Sequence, residues 1–225
     1  MYIFFKRLFD IACSLIGIVG TSPFWLIAIL GIEFSDPGPI FYVAKRIGKN
    51  NREFKMFKFR SMKIVKNADE SNFKADTNRI FPFGRFIRAT KIDELPQLLN
   101  ILFGNMSIVG PRPASIDQVD EVRSGENSIT AEVIPGLTGP SALYDYIFGD
   151  SIENEEEYRI KVLPTRLALD VWYVKNMGAL IDLKMIWWTA ICVLAEVFHI
   201  KTPNIYNTLI NYVNVQNVKK AETVL

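Results

Sequence analysis

The chain has 225 residues, of which 49% are hydrophobic and 22% charged. That length suits one core-forming domain with additions rather than two full domains, and the charge content excludes a polytopic protein made mostly of lipid-facing helices. The formal charge of +2 conceals an asymmetry, because residues 1–63 hold ten Lys/Arg against four Asp/Glu, a net of +6, which leaves −4 for the remainder. A basic first quarter beside an apolar segment suits anionic headgroups or phosphates, although solvated surface charge gives the same count. Cys13 and Cys192 lie in apolar stretches, and His199 is the sole histidine. A histidine-rich metal site and a histidine triad are therefore not expected, and any chemistry must rest on carboxylates and cations.

After Lys6, Arg7 and Asp10 comes an uncharged run from Ile11 to Ile32, broken near its middle by Ser22-Pro23. About 20 such residues can cross a bilayer, so a cleaved signal peptide, a spanning helix and a re-entrant hairpin compete. No small-residue cleavage site precedes a secreted-type sequence. Basic residues flank the run on both sides, with Lys45, Arg46, Lys49 and Arg52 after it. Cytoplasmic flanks attract Lys and Arg, which favours both ends on the same face. Pro23 lacks a backbone donor and permits a sharp bend, and the Ser22 hydroxyl can serve a freed carbonyl. The re-entrant hairpin is the expected form.

Asp36-Pro37-Gly38-Pro39 marks an exit turn. Ile40–Val43 and Phe54–Phe59, around Gly48-Lys49-Asn50-Asn51, read as a β-hairpin. Basic side chains alternate with aromatics in its second strand, a pattern that suits either a nucleotide cradle or an ordinary wet face. Residues 64–80 are polar without periodicity and read as a loop or frayed helix over a site.

Residues 84–113 are the most informative. Leu95, Leu98, Leu99 and Leu102 fall at helical spacing with Gly104 as a stop, and Pro96 requires a helix start near Ile92. Asp93 and Glu94 are then expected in the first helical turn, where the helix dipole and nearby cations should lower the Asp93 pKa. Two acids at a helix start are commonly no more than stabilising. The continuation, however, holds Arg112 between Pro111 and Pro113, a stiff way to present a guanidinium, with one of the two prolyl bonds a candidate for cis.

The chain resembles the bacterial sugar transferases, or monotopic phosphoglycosyl transferases, up to about His199. The resemblance is carried by Lys6-Arg7-Leu8-Phe9-Asp10, Lys58-Phe59-Arg60-Ser61-Met62, Asp93-Glu94-Leu95-Pro96-Gln97-Leu98, Ser107 to Pro113, Pro135 to Gly139, and Asp170-Val171-Trp172-Tyr173-Val174. Six such motifs in this order are highly specific. Ala44, Asn105 and Pro140 to Tyr144 depart from the family pattern, and the last of these leaves the donor sugar open.

The resemblance implies that Asp93 is a nucleophile that attacks a UDP-sugar, expels UMP and carries the phosphosugar until polyprenyl (undecaprenyl) phosphate takes it, which would initiate lipid-linked glycan or exopolysaccharide assembly. Glu94 is expected to hold Mg²⁺, a hard cation that takes carboxylate and phosphate oxygens. Lys58, Arg60, Arg88, Arg112, Pro111 and Pro113 are expected to form the substrate site, the arginines offering paired donors to phosphate. Rival readings are a catalytically idle membrane scaffold of the same fold and a transferase that moves the sugar alone and releases UDP.

Asp170 lies in an amphipathic stretch, 166–174, where it can pair with a site arginine or face solvent. Glu153 to Glu157 reads as a solvated helix start. Ile181 to His199, with Trp187 and Trp188, reads as an interfacial helix on the membrane, with a buried core helix as the alternative. Residues 201–225 are polar and branched without strong periodicity.

The expected fold is α+β and mainly helical. It comprises a re-entrant membrane hairpin at 1–34, a catalytic domain at 35–200 with a small β-hairpin and amphipathic surface helices, and a tail at 201–225. The expected location is the cytoplasmic (inner) membrane with the catalytic domain on the cytosolic face. Membrane lipids, the UDP-sugar and polyprenyl phosphate are the expected partners. Nucleic acid is not one, and homo-oligomerisation is left open.

Overall fold

The structure, a computed structural model, describes residues 1–65, 73, 76–152, 154–198, 200 and 204–223, and for Asp150 and 215–223 the backbone alone. Much of the expected loop at 64–80 therefore lies outside the described residues, as do Glu153 and His199.

Two helices, α1 (Tyr2–Gly20) and α2 (Ser22–Ser35), meet at a bend of 58°. Pro23 deprives the Val19 carbonyl of its donor one turn on, and the Ser22 hydroxyl supplies a bond to it at 2.8 Å. Thr21 Oγ1 also donates to Gly17 O at 2.6 Å, beside the Thr21 amide's own bond to it. Among the described residues no single helix is long and apolar enough to cross a membrane, whereas this bent pair together has the length and composition. Its outer side chains are apolar and exposed, including Phe4, Phe5, Ile16, Val19, Leu26 and Phe34.

One face of α1 is polar and tied to the rest of the chain. Lys6 Nζ and Tyr2 Oη each reach Asp182 Oδ2 at 2.7 Å. The Arg7 guanidinium donates to the carbonyls of Ile101 and Leu102 at 2.6 and 2.8 Å. Buried Asp10 accepts from Ser107 Oγ and from the Ile108 amide.

The expected β-hairpin is present. Strand β1 (Phe41–Ile47) pairs antiparallel with β2 (Glu53–Phe59), with Phe41 opposite Phe59. The first strand runs four residues beyond the expected end at Val43. The turn uses Asn50 and Asn51, both at φ 56, because asparagine tolerates the left-handed region. Beyond it α3 (Pro82–Ala89) packs on α2. The contact is close: a Cβ on Gly31 would fall 2.2 Å from the Phe83 ring, and one on Gly84 would fall 2.1 Å from the Ser61 carbonyl.

The acidic pair does not open an α-helix. Ile92–Glu94 forms a 3₁₀ turn and α4 spans Gln97–Phe103. Pro96 has no N–H to complete a bond to Ile92 O, so the approach to α4 uses the tighter bonds Leu95 N to Ile92 O and Leu99 N to Pro96 O. Gly104 ends α4 in the left-handed conformation at φ 86, as its place in the sequence predicts.

Strand β3 (Ser107–Val109) runs parallel to β5 (Gly136–Thr138), while β4 (Ala114–Ser115) adds to the free side of β1. No cis peptide bond occurs among the described residues, so both prolyl bonds around Arg112 are trans, against the expectation for one of them. The short α5 (Val119–Val122) follows.

The remaining helices, α6 (Pro140–Ile147), α7 (Glu155–Lys161), α8 (Leu163–Asn176), α9 (Ala179–Phe198) and α10 (Ile205–Thr223), build the largest core around Leu143, Tyr144, Leu169, Tyr173, Met185 and Leu209. The Asn154 side chain caps α7 by accepting from the Glu157 amide at 2.9 Å. Helix α9 packs one face on the core, as the alternative reading of its sequence has it, and leaves other apolar side chains exposed. Met185 and Cys192 face the core, while Leu183, Trp187, Leu194 and Phe198 are exposed. Residues 205–223, which have no strong periodicity, form a helix nonetheless. Leu209 is buried, and Tyr212 stacks on Trp172 with ring centroids 3.9 Å apart, so tertiary packing stabilises what pattern does not predict.

Candidate active site

Four segments converge on the acidic pair: β2, the end of α3, the 3₁₀ turn itself, and the loop after β3. Asp93 is buried at 4% exposure, and its Oδ1 has no hydrogen-bond partner. A buried carboxylate oxygen left unsatisfied is costly. Glu94 is more open, and its Oε1 accepts from Lys58 Nζ at 2.8 Å.

The two carboxyls are pushed in opposite directions. Burial raises the Asp93 carboxyl to about 6. Lys58, Arg88 and Lys91 oppose the rise and the Glu94 charge adds to it. The expected lowering by a helix dipole is therefore overturned: a 3₁₀ turn brings little dipole, and desolvation outweighs the cations. Burial acts on Glu94 in the same sense, but Lys58, then Lys91, its hydrogen bond to Lys58 and Arg112 outweigh it and hold Glu94 at about 2. The pair thus consists of a firmly ionised Glu94 beside a more basic, more nucleophilic Asp93.

Lys91 was not singled out from the sequence. It follows Thr90, the cap of α3, at φ 56, a conformation that costs a non-glycine residue about 1 kcal/mol. Its ammonium lies 4.3 Å from the centroid of the Tyr146 ring on α6.

Arg88, on the last turn of α3, places Nη1 3.9 Å from Met62 Sδ, and its charge acts on Asp93. Arg112 is 46% exposed at its side chain, and its charge acts on Glu94. Its backbone amide donates to Asp170 Oδ1 at 3.3 Å and its guanidinium pairs with Asp145. Pro111 is buried and Pro113 half-buried on either side. Arg60 is located differently. It is buried and bonds to Asp36 through both side chain and backbone, and to Pro39 O at 2.5 Å. It thereby fastens the exit turn of the bent helix pair, with its guanidinium over the Phe81 ring.

Asp170 is not a solvated helix acid. It is buried, accepts from Ser141 Oγ at 2.5 Å as well as from the Arg112 amide, and is raised by burial to about 6. A second buried chain runs from Arg166 Nη1 to Tyr158 Oη at 2.8 Å and on to Asp145 Oδ1 at 2.6 Å. Asp145, Tyr158 and Arg166 were also missed from the sequence. Their spacing carries no motif, and the one local signal is an unusual density of charge and tyrosine in 144–166.

The described residues contain no group of three acidic, histidine or cysteine side chains able to hold a metal alone. They do include the consecutive Asp93, whose Oδ1 is unpartnered, and Glu94, whose charge acts on it.

Comparison with known proteins supplies the remaining evidence. The family described as "Bacterial sugar transferase" matches residues 1–196. The exopolysaccharide production protein ExoY of Sinorhizobium fredii is 35% identical over 205 residues, covering 83% of this chain and 85% of that protein. The UDP-glucose:undecaprenyl-phosphate glucose-1-phosphate transferase of Xanthomonas campestris pv. campestris is 33% identical over 195 residues, covering 85% of this chain and 39% of the relative. The undecaprenyl-phosphate galactose phosphotransferase of Salmonella typhimurium is 34% identical over 207 residues, covering 85% of this chain and 40% of the relative. The chain thus spans about two fifths of the length of these last two relatives. With the family match running from the first residue through most of α9, the chain belongs to the bacterial sugar transferase family.

Proposed function

We propose that the chain transfers a sugar phosphate from a UDP-sugar to polyprenyl phosphate and releases UMP, with Asp93 as the covalent carrier. The observation that carries this reading is the buried Asp93 carboxylate, whose Oδ1 lacks a hydrogen-bond partner amid the charges of Lys58, Lys91 and Arg88. Such a group is poised for a partner that the folded chain itself does not provide. The names of the relatives, which include sugar-phosphate transferases acting on undecaprenyl phosphate, agree with it.

In the first step an Asp93 oxygen attacks the sugar-linked phosphorus. The bond from that phosphorus to the bridging oxygen breaks and UMP leaves with the electron pair. In the second step an oxygen of polyprenyl phosphate attacks the same phosphorus and the Asp93 carboxylate departs, giving a polyprenyl diphosphate sugar. The acceptor is already anionic, so the second step needs little general-base help, in keeping with a chain that holds one histidine. Lys58, Lys91, Arg88 and Arg112 neutralise phosphate charge, the main task of a protein in phosphoryl transfer.

Glu94, next in the chain to Asp93 with its unpartnered Oδ1, fits Mg²⁺, which binds through one or two carboxylates together with substrate phosphates. When bound, the ion would withdraw charge from the donor diphosphate. Glu94 would hold it, and Lys58 keeps Glu94 ionised for that role.

The bent pair α1–α2 acts in this reading as a re-entrant hairpin in the cytoplasmic membrane, with both ends on the cytosolic face where a nucleotide sugar is available. The exposed apolar face of α9 adds an interfacial contact.

The test is a panel of UDP-sugars given to purified protein without acceptor. About one UMP per active site should appear, then stop apart from slow hydrolysis, as a ping-pong route requires. Intact mass should show a phosphosugar on Asp93 that acceptor removes, and Asp93→Asn should yield neither adduct nor product. Release of UDP would point to transfer of the sugar alone. No nucleotide release from any donor would leave a scaffold.

A further inference from the structure

Arg112 is gripped at both ends by acids from the helical core. Asp170 accepts its backbone amide, and Asp145 Oδ2 lies 3.3 Å from its Nη1. The Asp145 side chain is only 10% exposed, whereas that of Arg112 is 46% exposed. A buried carboxylate thus holds a guanidinium whose side chain is about half exposed.

Asp145 is itself immobilised. Its Oδ1 accepts from Tyr158 Oη at 2.6 Å, and Tyr158 accepts from Arg166 Nη1 at 2.8 Å. A Cβ on Gly149 would fall 2.2 Å from the same Oδ1, so the glycine there makes room for the carboxylate. Tyr158 and Arg166 are fully or almost fully buried. The series Arg166–Tyr158–Asp145–Arg112 runs from the core to the open site through α8, α7 and α6.

We propose that Asp145 is a positioning residue for Arg112, holding the guanidinium in place to bind the anionic donor, and that Tyr158 and Arg166 fix Asp145 in turn. The proposal rests on the functional reading above. An unrestrained arginine loses considerable rotamer freedom when it binds. Orienting it beforehand removes that cost from donor binding. Asp145 touches Arg112 and need not touch substrate. A purely structural ion pair joining the loop after β3 to α6 would have the same geometry, so the test must read coupling to the donor.

UMP release is measured against UDP-sugar concentration for the whole protein, Arg112→Ala, Asp145→Asn and the double variant, using the donor that the panel identifies. Each single change should raise the donor KM about 5- to 10-fold; Arg112→Ala, which also removes charge from the site, should lower kcat as well, whereas Asp145→Asn should keep kcat within about twofold. The double variant should be no worse than Arg112→Ala alone, because Asp145 acts only through Arg112. Tyr158→Phe keeps the carboxylate and removes both its buried donor and the acceptor of Arg166 Nη1. It should raise KM about two- to threefold, and again add nothing to Arg112→Ala.

If the losses multiply in either pair, or if melting temperature falls while KM stays unchanged, Asp145 is a structural acid and the proposal fails. Wild-type release of UMP with multiplying losses overturns the positioning role alone. Absence of UMP from wild type overturns the functional reading first.

Discussion

Lys58 Nζ lies 2.8 Å from Glu94 Oε1, while Oδ1 of the adjacent Asp93, within reach of the same positive charge, has no hydrogen-bond partner. The two neighbouring carboxyls are thus separated by different causes: Lys58 satisfies Glu94 and holds it ionised, whereas burial keeps Asp93 more basic against the pull of the same lysine.

The pH dependence of adduct formation follows from that separation. Attack needs ionised Asp93, whose carboxyl is raised by burial to about 6. The single-turnover rate of UMP release should therefore climb as pH rises through about 6 and level off above 7. Asp170 is raised to about 6 as well. Asp170→Asn should retain the inflection if it belongs to Asp93. An unchanged rate down to pH 4.5 would remove Asp93 from the nucleophile's role.

The same shift has a cost in stability. A carboxyl whose pKa is higher folded than unfolded gives a fold that binds extra protons between about 4 and 6, so stability falls as pH rises through that window. Asp93→Asn should then melt higher than wild type at pH 7.5, with a gain on the order of 1–3 kcal/mol. The gain should vanish below pH 4, where the wild-type carboxyl is protonated in both states. Equal melting at pH 7.5 would show that the site's cations compensate burial fully.

Metal removal tests Glu94. EDTA should abolish UMP release, and Mg²⁺ should restore it. Glu94→Gln should cut the rate by about 100-fold or more, since a neutral amide binds a hard cation poorly. Full turnover in EDTA would leave charge neutralisation to Lys58, Lys91, Arg88 and Arg112.

Topology can be read with single cysteines at Ile3 and Lys49, both exposed, in a background lacking Cys13 and Cys192. In a re-entrant arrangement neither reacts with a membrane-impermeant thiol reagent applied to intact cells. Labelling at Ile3→Cys alone would establish a kinked spanning helix.

Local signals in the sequence were dependable where one turn of chain decides the outcome. Ser22-Pro23 broke the apolar run, Gly104 ended α4, and the aromatic strands paired around Asn50 and Asn51. Where distant segments decide, the sequence was silent. The α10 helix owes its packing to Leu209 and to Trp172 on α8, and no pattern within 205–223 predicts that. Arg60 stands in a motif with Lys58, yet one points to Glu94 and the other to Asp36, because the two occupy different environments at the end of β2. The Asp93 pKa was anticipated with the wrong sign because desolvation is a tertiary quantity. Asp145, Tyr158 and Arg166 were missed for the same reason, their relation existing only once α6, α7 and α8 have packed.

The two bonds from Arg7 to the carbonyls of Ile101 and Leu102 have a practical consequence. They satisfy acceptors at the end of α4, the helix that follows the acidic turn, and Asp10 does likewise for the Ile108 amide at the start of the segment leading to Arg112. Excising the first 34 residues to obtain a soluble fragment would strip both supports and leave buried Ser107 without its acceptor. Efforts to purify a minimal enzyme should therefore keep the bent helix pair, and redesign of its exposed apolar side chains is a sounder route to solubility than truncation.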